Sequence, residues 1–360
     1  LSTNNNPLVT VLLPAFNADK YLSPAIESIL SQTFSDFEFL IINDGSSDHT
    51  EEIILSYKDS RIKYVKNKKN LGLITTLNKG LELAKGKYIA RMDADDIAMP
   101  KRLEKQFNFM EKHNEVGLCG SFLKNIGDQD NNVKFETEDA HIRFRLLFST
   151  YLRHPTAMLR QSVLLKHNII YRSTYKHVED HKMWIEVSRY SKLAILPEVL
   201  LQYRVHEYSI SKSKNREQAV IESLIRKEQL LSLGISVTNT EEMELYNSFL
   251  HLVRFEWNPY LKFTLPENFQ QYVCLSKLLN KIVIQNRLHL LVSPLILEKK
   301  FGKAFFKLSL HTTAWGLASL WLFLKHPLSK SVSFTNIQLL KLFIKSLLKK
   351  KYDINELLLY

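Results

Sequence analysis

Tyr88-Ile89-Ala90-Arg91-Met92-Asp93-Ala94-Asp95-Asp96 is the stretch on which the reading of this chain turns. Tyr88–Met92 is mostly apolar and reads as a buried strand. It runs straight into three carboxylates within four positions, so the chain must turn to a polar edge there. Two carboxylates two residues apart at a strand end can face one site. Mg²⁺ and Mn²⁺ take hard oxygen ligands, commonly one or two carboxylates together with substrate phosphates. Taken alone, an Asp-x-Asp triplet ahead of Pro100 reads first as a solvated acidic turn. Its weight comes from what surrounds it.

Upstream, Leu73–Ala84 reads as a helix closed by Gly86, and Ile62–Val65 as a strand. A further helix starts near His49, after the strand Phe37–Ile42. Lys20–Gln32 carries Tyr21, Leu22, Ala25, Ile26, Ile29 and Leu30 at helical spacing. Leu8–Leu13 is the first strand, ending at Pro14. Strand and helix thus alternate four times, which predicts a parallel α/β sheet. Ligands of such sheets sit beyond the carboxyl ends of the strands. The segments Pro14-Ala15-Phe16-Asn17, Asn43-Asp44-Gly45-Ser46-Ser47-Asp48 and Asp93-Ala94-Asp95-Asp96 are therefore expected to converge on one crevice. Asp44 can accept a hydrogen bond from a nucleobase N–H, and Gly45 lets the backbone approach closely. The same residues also read as a turn and helix cap. An isolated Phe such as Phe16 reads first as core and otherwise as a base-pocket wall.

Two later segments carry chemistry only in company. His177-Val178-Glu179-Asp180-His181-Lys182-Met183-Trp184 holds a carboxylate pair that can supply a general base to an acceptor hydroxyl, or simply a helix-start charge pair. Tyr203-Arg204-Val205-His206-Glu207-Tyr208-Ser209-Ile210-Ser211 offers a forked guanidinium suited to pyrophosphate and an imidazole able to bind a metal. By itself it reads as a surface loop.

As an ordered set these segments resemble the family 2 glycosyltransferases, inverting enzymes with the GT-A fold, a Rossmann-like nucleotide-diphospho-sugar transferase domain. The matching series also includes Tyr21-Leu22, Ser28-Ile29-Leu30-Ser31-Gln32-Thr33, Phe37-Glu38, Asn70-Leu71-Gly72, Asn78-Lys79-Gly80 and Ala84-Lys85-Gly86-Lys87. It spans about residues 8–211. The resemblance implies a donor nucleotide held by Pro14, Phe16, Asn17, Asp44, Asn70, Gly72, Asp93, Ala94, Arg204, Ser209 and Ser211. Within that set it puts Asp44 on the base, usually uracil, and Asp93 on the ribose side. It implies Mn²⁺ or Mg²⁺ at Asp95 and His206, Asp180 as the general base, and closure of the loop through Ser211 over the diphosphate. The chain lacks the QxxRW motif and evident spanning helices of processive synthases. The expectation is therefore transfer of a single sugar, from a UDP-sugar by resemblance, to a saccharide or lipid-linked acceptor. By analogy the setting is bacterial surface-polysaccharide assembly, such as O-antigen or capsule.

Composition bounds the rest. The 360 residues are 45% hydrophobic, enough for a real core. Cys119 and Cys274 form no ligand spacing or disulfide framework, so a reducing, cytosolic setting fits. Residues 1–7 show no charged-then-apolar pattern, so no signal peptide is expected in them. The formal charge is +12, but Lys299–Lys351 holds 11 lysines and no Arg, Asp or Glu, leaving +1 for the remainder. That is no uniformly basic nucleic-acid binder.

Glu217–Leu233, Glu241–Trp257 and Phe269–Asn286 read as helices, and no second set of strands follows. The expected division is a GT-A domain over 1–211, a helical extension over 212–298, and a basic amphipathic segment over 299–360. In that last segment Ala314–Leu324 is too short to span a bilayer, which takes roughly 20 apolar residues. Ile337–Lys351 suits a helix lying on an anionic membrane, or one packed on the protein with its lysines in water. The expected location is peripheral, on the inner face of the cell membrane. A sugar-nucleotide pyrophosphorylase would need a Gly-rich loop where Pro14–Lys20 has none, and an NAD enzyme would need GxGxxG. The competing class is a non-catalytic membrane- or nucleic-acid-binding protein with a degenerate nucleotide domain.

Overall fold

A computed structural model of the chain describes residues 6–206, 215–254 and 265–348. Two compact units emerge, Leu1–Lys214 and Asn215–Tyr360.

The first unit opens with the expected alternation. Strands β1 (Val9–Ala15), β2 (Phe37–Asn43), β3 (Ile62–Lys66) and β4 (Tyr88–Arg91) alternate with helices α1 (Asp19–Leu30), α2 (Thr50–Ser56) and α3 (Leu73–Leu83). The strands pair in parallel in the order β3-β2-β1-β4. β2 and β4 are buried at every position and β1 at all but Pro14, which is why they read as apolar runs rather than alternating ones. α1 covers them with Leu22, Ala25, Ile26 and Ile29. The register sets Ala15 against Asn43, and Met92 N–H donates to the Leu12 carbonyl, so the three polar segments leave the sheet along one edge.

The sheet does not stay parallel. β8 (Met158–Arg160) joins β4 antiparallel, and the order continues through β6 (Val116–Gly127), β9 (Lys192–Val205) and β5 (Ile97–Ala98), with β7 (Asn132–Val133) on β6. Among the described residues the sheet has nine strands. β6 and β9 run parallel over their length with three shifts of register. β5 lies antiparallel to β9, with Ile97 opposite Gln202 and Ala98 opposite Leu201. This small pairing brings the acidic turn beside the chain that leads to His206. Helices α4 (Arg102–Lys112), α5 (Asp139–Arg145), α6 (Gln161–His167) and α7 (Glu179–Ser188) complete the unit.

The described part of the second unit is helical: α8 (Asn215–Ser232), α9 (Thr240–Arg254), α10 (Phe269–His289), α11 (Pro294–His311), α12 (Leu317–Lys325), α13 (Pro327–Lys330) and α14 (Asn336–Leu348). Its core includes Tyr272, Phe301, Phe305 and Phe323, each fully buried. The Tyr272 and Phe305 rings stack at 5.8 Å. Ala314–Leu324 is not one element. Gly316 adopts φ +72°, which ends a 3₁₀ turn at Trp315 and starts α12. No described helix is long and apolar enough to cross a membrane.

Candidate active site

The loops after β1 and β2 are laced together. Asn17 donates its N–H to Ser46 Oγ (3.0 Å) and accepts from Ser47 N–H at Oδ1 (2.9 Å). It does so with φ +47°, a backbone conformation that Asn tolerates better than most residues. Ala18 N–H donates to Thr50 Oγ1 and Asp19 N–H to Asp48 Oδ2. Asp44 holds the next loop in turn. Its Oδ1 accepts from Asn67 Nδ2 (2.8 Å) and Leu71 N–H (2.9 Å), and its Oδ2 accepts from Gly72 N–H (2.9 Å). A carboxylate has about four acceptor positions, so one remains for an incoming donor. Gly45 sits at φ +71°, and a Cβ there would lie 2.5 Å from the Lys69 carbonyl carbon. Only glycine fits that approach.

Beyond β4, ligand atoms of Asp93, Asp95 and Asp96 lie within 4.8 Å of one another. Asp93 pairs with the buried Arg91 guanidinium. Asp96 is fully buried. Its Oδ1 accepts from Arg204 N–H (2.8 Å), while its Oδ2 has no hydrogen-bond partner. Burial first, and then repulsion from Asp93 and Asp95, push the Asp96 carboxyl well above the usual range. Burial and Asp93 likewise raise Asp95. Crowded, desolvated carboxylates with an orphaned oxygen suit a hard divalent cation, which would relieve both penalties. Beneath them Arg102, also fully buried, donates to the Arg91 carbonyl (2.6 Å) and braces the strand end.

The end of β9 closes on this cluster. His206 Nε2 lies 3.0 Å from Asp95 Oδ2, and Arg204 Nε donates to the Asp95 carbonyl (2.9 Å). Both side chains rest on Tyr21 of α1. The Arg204 guanidinium lies 4.4 Å from the ring centroid and the His206 ring stacks at 5.9 Å.

A cleft of about 1160 Å³ runs along this edge, ample for a drug-sized ligand, whose pockets are roughly 300–1,000 Å³. Pro14, Phe16, Asn17, Asp44, Asn70 and Gly72 line it together with Asp93, Ala94, Asp95 and His206. Phe16 is 46% exposed, so the reading of this ring as core is corrected: it is a wall of the cleft. Arg204 is not among the lining residues, and its guanidinium is spent on Tyr21 and Asp95. Ser209 and Ser211 lie outside the described residues.

The carboxylate pair at the start of α7 divides. Glu179 lines the cleft and is 7% exposed; burial, then Asp180, lifts its carboxyl to about 7. Asp180 is half-buried and does not line the cleft. Its Oδ2 accepts from Thr150 Oγ1 (2.9 Å) and its Oδ1 from His181 N–H (2.7 Å). Burial raises this carboxyl too, against those two hydrogen bonds. Tyr21, Arg91, Arg102 and Glu179 were all within reach of sequence reasoning as chemical groups. None carries a pattern that announces which neighbour it will meet.

The chain is similar to several known proteins. Residues 10–176 match the profile of "Glycosyl transferase family 2". An uncharacterized glycosyltransferase of Haemophilus influenzae is 37% identical over 265 residues, covering 68% of this chain and 81% of that protein. A UDP-Glc:alpha-D-GlcNAc-diphosphoundecaprenol beta-1,3-glucosyltransferase of Escherichia coli, WfgD, is 29% identical over 212 residues, 58% of this chain and 82% of that one. Among solved structures, S. aureus TarS 1-349 in complex with UDP-GlcNAc superposes with a TM-score of 0.57 at 17% identity, covering 90% of each chain. That likeness is one of fold, the GT-A architecture with further helices after it.

Proposed function

The chain belongs to glycosyl transferase family 2, and on that footing we propose that it is an inverting enzyme moving one sugar from a nucleotide-sugar donor to a saccharide or lipid-linked acceptor. A UDP-sugar is the donor we favour, with surface-polysaccharide assembly as the setting. The observation that carries this reading is the meeting of Asp93, Asp95, Asp96 and His206 at a cleft that Asp44, Phe16 and Gly72 also line. Clustered acidic groups and an exposed aromatic ring lining one cleft suit a cation-bridged nucleoside diphosphate.

Phe16 offers an apolar face to the base, and the spare acceptor of Asp44 meets its N–H. Asp93 serves the ribose side, paired with Arg91. Asp95 and His206 would hold Mn²⁺ or Mg²⁺. Such a cation, when bound, neutralises charge developing on the departing diphosphate. Tyr21 keeps His206 in place, and Arg204 holds the Asp95 backbone. Once its side chain turns from Thr150 toward the cleft that Glu179 lines, Asp180 takes the proton from the acceptor hydroxyl, whose oxygen attacks the anomeric carbon from the face opposite the nucleotide. The bond to the diphosphate breaks on the other side, so configuration inverts. Residues 1–211 form the catalytic part, 212–298 a helical extension and 299–360 a membrane-associating segment that keeps the enzyme peripheral on the inner face of the membrane.

A panel of sugar nucleotides scored for protection against thermal unfolding, with and without Mn²⁺, tests the donor. A UDP-sugar should raise the melting midpoint, and more so with Mn²⁺. Protection by none of the panel in either condition would overturn the reading.

A further inference from the structure

We infer that the outer face formed by α12 and α14 is a lipid-docking surface, which enters the interface of an anionic bilayer. This rests on the peripheral location proposed above and assigns it to particular side chains.

The two helices pack against each other, and each buries one face. α12 turns Ser319, Leu320 and Phe323 inward, and α14 turns Leu342 and Ser346 inward. Their other faces are apolar as well. On α12, Leu317, Trp321 and Leu324 follow at spacings of four and three. On α14, Leu340, Phe343, Ile344 and Leu347 repeat the stripe. All seven are 43–63% exposed. Scattered exposed leucines need no explanation, but a row of exposed apolar residues at helical spacing on each of two packed helices does.

Charge selects the occupant. Lys299–Lys351 carries 11 lysines and no acid. A second copy docked face to face would bring like charges together. An anionic bilayer supplies apolar depth and opposite charge at once, and Trp, Phe and Leu beside lysines are what an interfacial helix presents.

The test uses the full chain with vesicles of phosphatidylcholine alone or with phosphatidylglycerol. We expect co-sedimentation with the anionic vesicles, weakening as salt rises. A Phe343→Ser, Ile344→Ser, Leu347→Ser variant should lower the bound fraction about tenfold or more, since each loses buried apolar area in lipid. Because those side chains are exposed, its melting midpoint and its protection by sugar nucleotide should not change. Brominated lipid should quench Trp321, and Trp321→Phe should remove that component. Anionic-vesicle binding that survives the triple substitution refutes this face and leaves peripheral binding standing. Failure of the wild type to bind either vesicle refutes both, while donor protection reports separately on the transferase reading. A dimer in solution that the triple variant dissociates would instead make the face a self-association surface.

Discussion

The acidic rim of the sheet and the outer face of α12 and α14 break the ordinary distribution of side chains in opposite directions. At the rim, carboxylates go inside: Asp96 is fully buried with one oxygen unpartnered, and Glu179 is 7% exposed. On α14 apolar residues go outside, from Leu340 to Leu347. Neither arrangement serves stability, since buried charge and exposed hydrocarbon both cost free energy. Departures of this kind concentrate where a protein meets something else. The sign of the departure tells what that is: desolvated acids want a cation and phosphates, and exposed hydrocarbon among lysines wants an acidic, oily surface.

That contrast can be broken at the rim without touching the helices. Asp180→Asn should lower sugar transfer about 10²–10⁴-fold while leaving donor protection and vesicle binding intact. Turnover near the wild-type level would remove Asp180 as the base. In the wild type the rate should fall on the acid side at a pH above the ordinary aspartate range, because burial raises this carboxyl. Asp95→Asn should weaken Mn²⁺-dependent nucleotide binding by about 10–100-fold. Equal affinity with and without Mn²⁺, before and after the change, would count against a cation at this position.

Glu179→Gln sharpens the comparison through pH. The wild-type carboxyl sits at about 7 in the fold, against 4.5 for an ordinary Glu. A raised carboxyl favours the fold while protonated. Its contribution is therefore full below about 4.5, is lost as pH climbs through 7, and stays lost above. The Gln variant lacks this titration. Its stability should overtake that of the wild type by on the order of 2 kcal/mol between pH 5 and 8. A gap that stays constant across that window would show that Glu179 does not titrate there. Gly45→Ala should cost about 1–3 kcal/mol of stability, because a Cβ meets the Lys69 backbone at a positive φ. Urea unfolding measures this, and a wild-type midpoint would mean the loop yields freely. The smallest effect is expected of Tyr21→Ala, which removes the seat of Arg204 and His206. Donor KM should rise a few-fold, in line with about 1 kcal/mol for a partly exposed cation–π contact, with the fold unchanged. An unaltered KM would leave Tyr21 with packing alone.

Half of the catalytic unit was legible before any coordinates. β1, β2, β3 and β4 are continuous apolar runs or sit between turn residues, and each observed end falls within two residues of the expected one. Local pattern suffices where a strand is buried on both faces and its neighbour follows next in the chain. The parallel sheet expected from these four strands formed, but the antiparallel continuation after Asp96 was not legible, for a physical reason. β5 has two residues and β8 has three, too few to show a period, and β6 pairs with β9 across some eighty residues with shifted register. Phe16 misled because a lone aromatic is ordinarily core. Here it lies on a polar loop that Asn17 ties to Ser46 and Ser47, and the tie holds the ring at the surface.

What the sequence determined by itself was the chemistry and its order along the chain: acids, a turn glycine, a carboxylate pair, then Arg and His. Which of those groups meet was decided only by the tertiary structure. The antiparallel β5–β9 pairing sets His206 on Asp95, though 111 residues separate them. The pitch of α7 turns Glu179 into the cleft and its neighbour Asp180 toward Thr150, because one residue on a helix is a rotation of about 100°. Composition carries no information about either distance or direction. Both follow from hydrogen-bonded pairings between segments that are remote in the chain, and those exist only once the sheet has closed.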